Sequence, residues 1–151
     1  MQISRLTDYG ARAMIFMATQ PRGTVLPVRE ISRGTDVPES YLLKVLKNLE
    51  RAGLTRSHRG LYGGYSLACN PQQVTFLDLF RALQGPPALS SCLRDPQGCS
   101  RRHQCPVQPI WLGLQEKIEE EMSRHTLAAL AEASRFRVHP ESQAGKSLQI
   151  P

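Results

Sequence analysis

The segment Cys92 to Cys105, with Pro106 directly after it, limits most tightly how this chain folds. Three of its four cysteines fall within these fourteen residues, with six residues between the first pair and five between the second. Around them stand Pro96, Gly98, Ser100, Asp95 and the basic residues Arg94, Arg101, Arg102 and His103, with almost nothing apolar. A segment that cannot bury apolar surface must be ordered by something else, and clustered thiolates point to a metal. We read it as a loop for a metal ion or an iron–sulfur cluster.

The rest of the chain then has to say what such a loop controls. With 151 residues, 40% of them hydrophobic, there is material for one domain and a core. The net charge of +6 favours a polyanionic partner, and it is unevenly placed. Residues 1–68 carry ten Lys or Arg against five Asp or Glu, whereas residues 69–151 carry nine against eight. The polyanion should therefore meet the N-terminal half. The apolar run of residues 11–18 is broken by Arg12 and is no secretory leader, and no run reaches transmembrane length. A cytoplasmic protein, with its thiols reduced, is expected.

From Ser4 to about Thr19, Leu6, Tyr9, Ala13, Phe16 and Met17 recur at helical spacing, and Pro21-Arg22-Gly23 ends the helix. Asp8 lies near the first turn, where a carboxylate complements the helix dipole. A short helix over about Val28–Thr35 and a turn through Gly34–Pro38 precede a stronger helix from Pro38 to Ala52. Its Leu42, Val45, Leu46 and Leu49 form an apolar face. Ser40, Lys44, Lys47 and Arg51, with Asn48 beside them, form a basic, hydrogen-bonding face. Short helix, tight turn and basic helix make a helix-turn-helix.

Two short alternating stretches, Leu54–His58 and Tyr65–Ala68, flank Arg59-Gly60-Leu61-Tyr62-Gly63-Gly64, which predicts a hairpin. A hairpin directly after a recognition helix is a wing. Arg56, His58 and Arg59 stand beside Gly60, Gly63 and Gly64, which let the backbone approach a phosphate or the minor groove closely. Cys69, outside the cluster loop, is expected to be a half-buried structural thiol. Thr75 caps a helix from Phe76 to Leu83. Beyond the cysteines, Pro109 starts a long helix whose Trp111, Leu114, Ile118 and Met122 form a narrow stripe suited to a dimer seam. Thr126 then caps a short helix through Leu127, Leu130 and Ala133.

The expected organisation is mainly α with a small β-hairpin wing. Residues 1–85 form a winged helix-turn-helix, 86–108 a cluster-binding loop, 109–134 a dimerisation region and 135–151 a disordered tail.

At these residues the chain resembles the Rrf2 family of bacterial transcription regulators, over roughly residues 1–134. The resemblance rests on Leu6-Thr7-Asp8-Tyr9-Gly10, on Tyr41-Leu42 with Leu46 and Leu49, and on Ala52-Gly53-Leu54. It rests further on Arg59-Gly60 followed by Gly63-Gly64-Tyr65, and on the three-cysteine loop. It implies a homodimer on a palindromic operator, with the long helices crossing at the interface and Tyr41 joining the DNA-binding residues. It also implies an iron–sulfur cluster, [4Fe–4S] ahead of [2Fe–2S], held by Cys92, Cys99 and Cys105. For the fourth ligand, one branch of the family uses a His three residues after the last cysteine, and that position here is Gln108. The nitric-oxide-sensing, NsrR-like branch uses an Asp in the first helix, and Asp8 stands in the matching place, donated from the partner subunit. The chain departs from the family in its six-residue first cysteine interval and in Gln84, where Glu is usual.

Two other readings stay open at this point. A structural zinc on Cys92, Cys99, Cys105 and His103 would make a ligand-independent DNA-binding module. An enzyme or electron carrier is disfavoured, because the sequence offers no nucleophile–base pair, phosphate loop or second cysteine set.

Overall fold

The computed structural model describes residues 1–101 and 104–136; His103 and most of the expected tail lie outside them. Helix α1 (Arg5–Ala18) starts where the Ser4 hydroxyl accepts the Thr7 amide at 3.2 Å. Satisfying an otherwise orphaned amide is what favours serine at that position. Helix α2 (Val28–Thr35) ends at Asp36, which takes the left-handed conformation at φ 55°, and Ser32 donates its hydroxyl to the Val37 carbonyl across the turn. Helix α3 (Glu39–Arg51) follows Pro38.

Leu42, Val45, Leu46 and Leu49 of α3 are completely buried against Met14, Met17, Ile31, Leu79 and Leu127. Each such side chain contributes roughly 1.5–3 kcal/mol when removed from water. The opposite face of α3 is thereby fixed toward solvent.

Strands β1 (Thr55–His58) and β2 (Gly64–Leu67) pair antiparallel, Thr55 opposite Leu67 and His58 opposite Gly64. The second strand begins one residue earlier than alternation predicts. Tyr65 exchanges two backbone hydrogen bonds with Leu26, at 2.8 and 2.9 Å, so the wing is pinned to the segment before α2. A Cβ on Gly64 would lie 2.1 Å from the Leu26 carbonyl oxygen. Glycine is demanded there by the chain's own packing.

Helix α4 (Phe76–Gln84) opens with a reciprocal cap: Thr75 accepts the Asp78 amide while the Asp78 carboxylate accepts the Thr75 amide and hydroxyl. The cysteine segment contains a single helical turn, α5 (Ser91–Arg94), and a 3-10 turn at Pro96–Gly98, neither visible in the sequence pattern. Helices α6 (Gln108–Arg124) and α7 (Leu127–Phe136) complete the fold. Their junction clamps the start of α4, since Phe76 donates to the His125 carbonyl and Leu127 to the Val74 carbonyl, both at 2.8 Å.

Helix α6 buries none of its residues within the chain. Ile118 and Met122 are half-buried near the Arg81–Glu119 ion pair (2.7 Å), which ties α6 to α4. Ile110, Trp111, Leu112 and Leu114 are exposed, so the open apolar surface is broader than the predicted stripe and confined to the first half of the helix. Among the described residues no helix is long and apolar enough to cross a membrane.

Candidate nucleic-acid interface and cysteine loop

On the outer face of α3, Ser40, Lys44, Lys47 and Arg51 are all exposed and line one shallow depression with Leu43 and Asn48. Asn48 spends its amide on the Lys44 carbonyl at 3.1 Å. Leu43 is the residue that sequence reasoning missed here. It falls outside the buried stripe, and its 43% exposure amid cations offers a methyl-bearing surface within a basic face. Tyr41 is placed differently. It is half-buried, its ring edge-on to Tyr9 with centroids 5.1 Å apart, and so joins α3 to α1.

In the wing, Arg56 and Arg59 are exposed, whereas His58 is half-buried with Nε2 at 2.8 Å from the Ser66 hydroxyl. Gly60 has φ 107°, and a Cβ on Gly63 would meet the His58 carbonyl oxygen at 2.5 Å. The wing glycines are thus explained within the chain before any partner is considered. Two side-chain contacts join wing and recognition helix: the buried Thr55 hydroxyl donates to the Leu46 carbonyl at 3.2 Å, and the Glu50 carboxylate accepts both the amide (3.0 Å) and the hydroxyl of Ser57. The two Ser57 bonds, chiefly the hydroxyl's, hold the Glu50 carboxyl below the ordinary glutamate value of 4.5. A depressed carboxyl supports the fold above its unfolded value and ceases to as pH falls through its folded one. The Ser57 amide resonance should therefore titrate with a midpoint below 4.5. In Glu50→Gln that titration should vanish; a midpoint at the ordinary value would mean the contact is not made.

The three loop cysteines are unpaired and half-buried. Cys92 accepts from or donates to the Ser90 hydroxyl at 3.0 Å, and Cys92 and Cys99 line one open depression of about 350 Å³ together with Asp95 and Arg101. Cys105 is not part of that lining. Among the described residues no three of His, Cys, Asp and Glu converge at metal-binding distance. In chemistry the donor set nonetheless fits an iron–sulfur cluster: three free thiols, partly open to solvent, on a loop outside the core. Cys69 differs in kind, since it packs against the core and burial pushes its thiol up.

Asp8 sits at the exposed start of α1, paired with Arg12 at 2.8 Å. The Arg12 guanidinium lies 5.7 Å over the Tyr9 ring, and Tyr9 meets Tyr41. Gln84 pins the same region: its Oε1 accepts the Ser4 amide and the Thr7 hydroxyl, and its Nε2 donates to the Gln2 carbonyl. The start of α1 is thereby tied both to the recognition helix and to the end of α4, just before the cysteine segment.

Comparison with known proteins agrees with this arrangement. Residues 3–133 match the model of a family described as Rrf2, iron-dependent transcriptional regulator. The HTH-type transcriptional regulator CymR of Bacillus subtilis is 30% identical over 131 residues, covering 87% of this chain and 90% of that one. The solved structure of B. subtilis CymR, called there the global cysteine regulator, superposes with a TM-score of 0.71 at 29% identity, over 88% of this chain and 98% of the other. The structure of T. potens IscR shares the fold, with a TM-score of 0.72 at 24% identity over 92% and 93% of the two chains.

Proposed function

This chain belongs to the Rrf2 family of DNA-binding transcriptional regulators, and from that premise we propose a homodimer on a palindromic operator whose binding is switched by an iron–sulfur cluster. The observation that carries the proposal is the loop itself, three unpaired and half-exposed thiols outside the core, in a chain that also presents a basic helix and wing. When bound, such a cluster supplies iron with an incomplete set of thiolate ligands, open to nitric oxide, oxygen or iron loss.

Cys92, Cys99 and Cys105 hold the cluster, and Asp8 of the partner subunit is the fourth ligand. Exposed ion pairs contribute only about 0–1 kcal/mol, so the Asp8–Arg12 pair leaves the carboxylate available. Arg12 stacks on Tyr9 and Tyr9 packs on Tyr41, so where Asp8 is held bears on where α3 sits. Two recognition helices must match the spacing of two half-sites, so a small displacement has a large effect on occupancy. A coupling of about 1–3 kcal/mol changes affinity roughly 5–150-fold.

The test is iron, acid-labile sulfide and the visible spectrum of wild type and Asp8→Ala, both purified without oxygen. We expect about four irons and four sulfides per wild-type subunit, with a smaller and more oxygen-labile content in the variant. Two of each would point to a [2Fe–2S] regulator and remove the argument for Asp8. A colourless protein with one zinc would favour the structural site with Cys92, Cys99, Cys105 and His103, and leave only DNA binding.

A further inference from the structure

The two most exposed large apolar side chains among the described residues are neighbours, Leu61 at 92% and Tyr62 at 89%. They occupy the centre of the wing's turn, which Gly63 closes by donating its amide to the Gly60 carbonyl at 3.0 Å. Below them the wing is stiff. Tyr65 is bonded to Leu26, Ser57 to Glu50 and His58 to Ser66. A rigid stalk thus ends in two side chains that pack on almost nothing.

Single exposed apolar residues are ordinary, but a contiguous pair at the apex of an anchored hairpin is not. Its surroundings identify the partner. Arg56 and Arg59 lie on the strand and turn that lead into the tip, and Lys44, Lys47 and Arg51 cover the outer α3 face, all exposed. Apolar side chains with cations on the strand beside them suit a narrow, anionic groove whose floor is stacked bases. Proteins that use such a tip press it between base steps while the cations hold phosphates on either side.

We propose that Leu61 and Tyr62 form a wedge that enters the DNA minor groove and partly unstacks one base step in each half-site. This rests on the DNA-binding reading above and adds bending to it. Arg59 and Arg56 meet the flanking phosphates, and the wedge supplies shape readout at a step that α3 never touches.

The test uses the full-length protein and a duplex that the wild type has selected from a random pool. Fluorophores at the duplex ends report bending, and 2-aminopurine placed at successive steps reports unstacking. We expect the wild type to bring the ends closer and brighten 2-aminopurine at one step per half-site. In the double variant Leu61→Ser, Tyr62→Ser both signals should be lost. Affinity should fall about tenfold, the lower range for loss of a stacked aromatic. The dependence of log affinity on log salt should stay unchanged, because no counterion-releasing contact was removed. Tyr62→Phe should behave as wild type.

A double variant that bends and binds like the wild type overturns the wedge while DNA binding stands. A wild type that binds without brightening any step does the same. Tip-dependent binding to anionic phosphatidylglycerol vesicles, with bending unaltered, would assign the tip to a lipid surface instead. A wild type that enriches no duplex overturns the DNA reading itself.

Discussion

Cys99→Ala should give a folded protein without bound iron, sulfide or visible absorbance, whereas Cys69→Ala should keep all three. The contrast follows from where the two thiols sit. Cys99 ends the 3-10 turn of a loop in which residues 89–95 and 97–101 include none that is buried. Substitutions away from the core move stability by about 0.5 kcal/mol or less. Its loss should therefore be felt in cluster content and not in the melting curve. Cys69 packs against the core beside the wing, and burial keeps its thiol protonated. Replacing it removes packing and should cost about 1 kcal/mol, the ordinary consequence of a small core truncation. Full visible absorbance in Cys99→Ala would sink the ligand assignment. Loss of absorbance in Cys69→Ala without unfolding would put a ligand where we have a structural thiol.

The same comparison marks how far the sequence could be read. Elements with strong punctuation came through almost to the residue: α1 after Ser4, α2 after Pro27, α3 between Pro38 and Gly53, and α4 after Thr75. Their signals are local, a cap or a breaker beside a periodic apolar stripe. Contacts between distant residues were illegible for the opposite reason. Nothing in the hairpin pattern announces that Tyr65 bonds to Leu26, or that the carbonyls of His58 and Leu26 require glycine at positions 63 and 64 whatever the wing meets. Only the family resemblance places Tyr41 on the DNA face. Its ring is turned onto Tyr9, a contact between elements that no periodicity encodes. Leu43 and the Leu61–Tyr62 tip are exposed apolar residues, and a pattern that signals burial says nothing about them. The clustering of Cys92, Cys99 and Cys105 points to a metal, whereas Asp8 as a ligand is implied only by the resemblance to the family. A cluster ligand set drawn from two subunits has no signature in the placement of one chain, and within the described residues they do not converge.

Trp111→Glu with Leu114→Glu should convert the protein to monomers that keep their fold and lose operator binding. Within the chain the two side chains are 38% and 42% exposed and neither belongs to the buried core, so carboxylates there leave that core intact. In a seam formed by two copies of α6, the same change would bury four like charges. An unpaired buried charge costs far more than the apolar contact it replaces. Gly113 sits between the two positions, and a Cβ there would meet nothing within 4 Å in this chain. A glycine inside a helix costs about 0.5–1 kcal/mol relative to alanine, which within one protomer brings no return. Close approach of a second helix would supply the return. Sedimentation should show a single species of about 17 kDa, with a melting temperature near that of wild type once its concentration dependence is removed. Binding to the selected duplex should weaken about 10²–10⁴-fold, because each half-site would then be bound alone without the effective concentration that a linked partner provides. A variant that remains dimeric would move the seam away from α6. A monomer that still binds the full site with wild-type affinity would break the link between half-site spacing and occupancy on which the proposed switch depends.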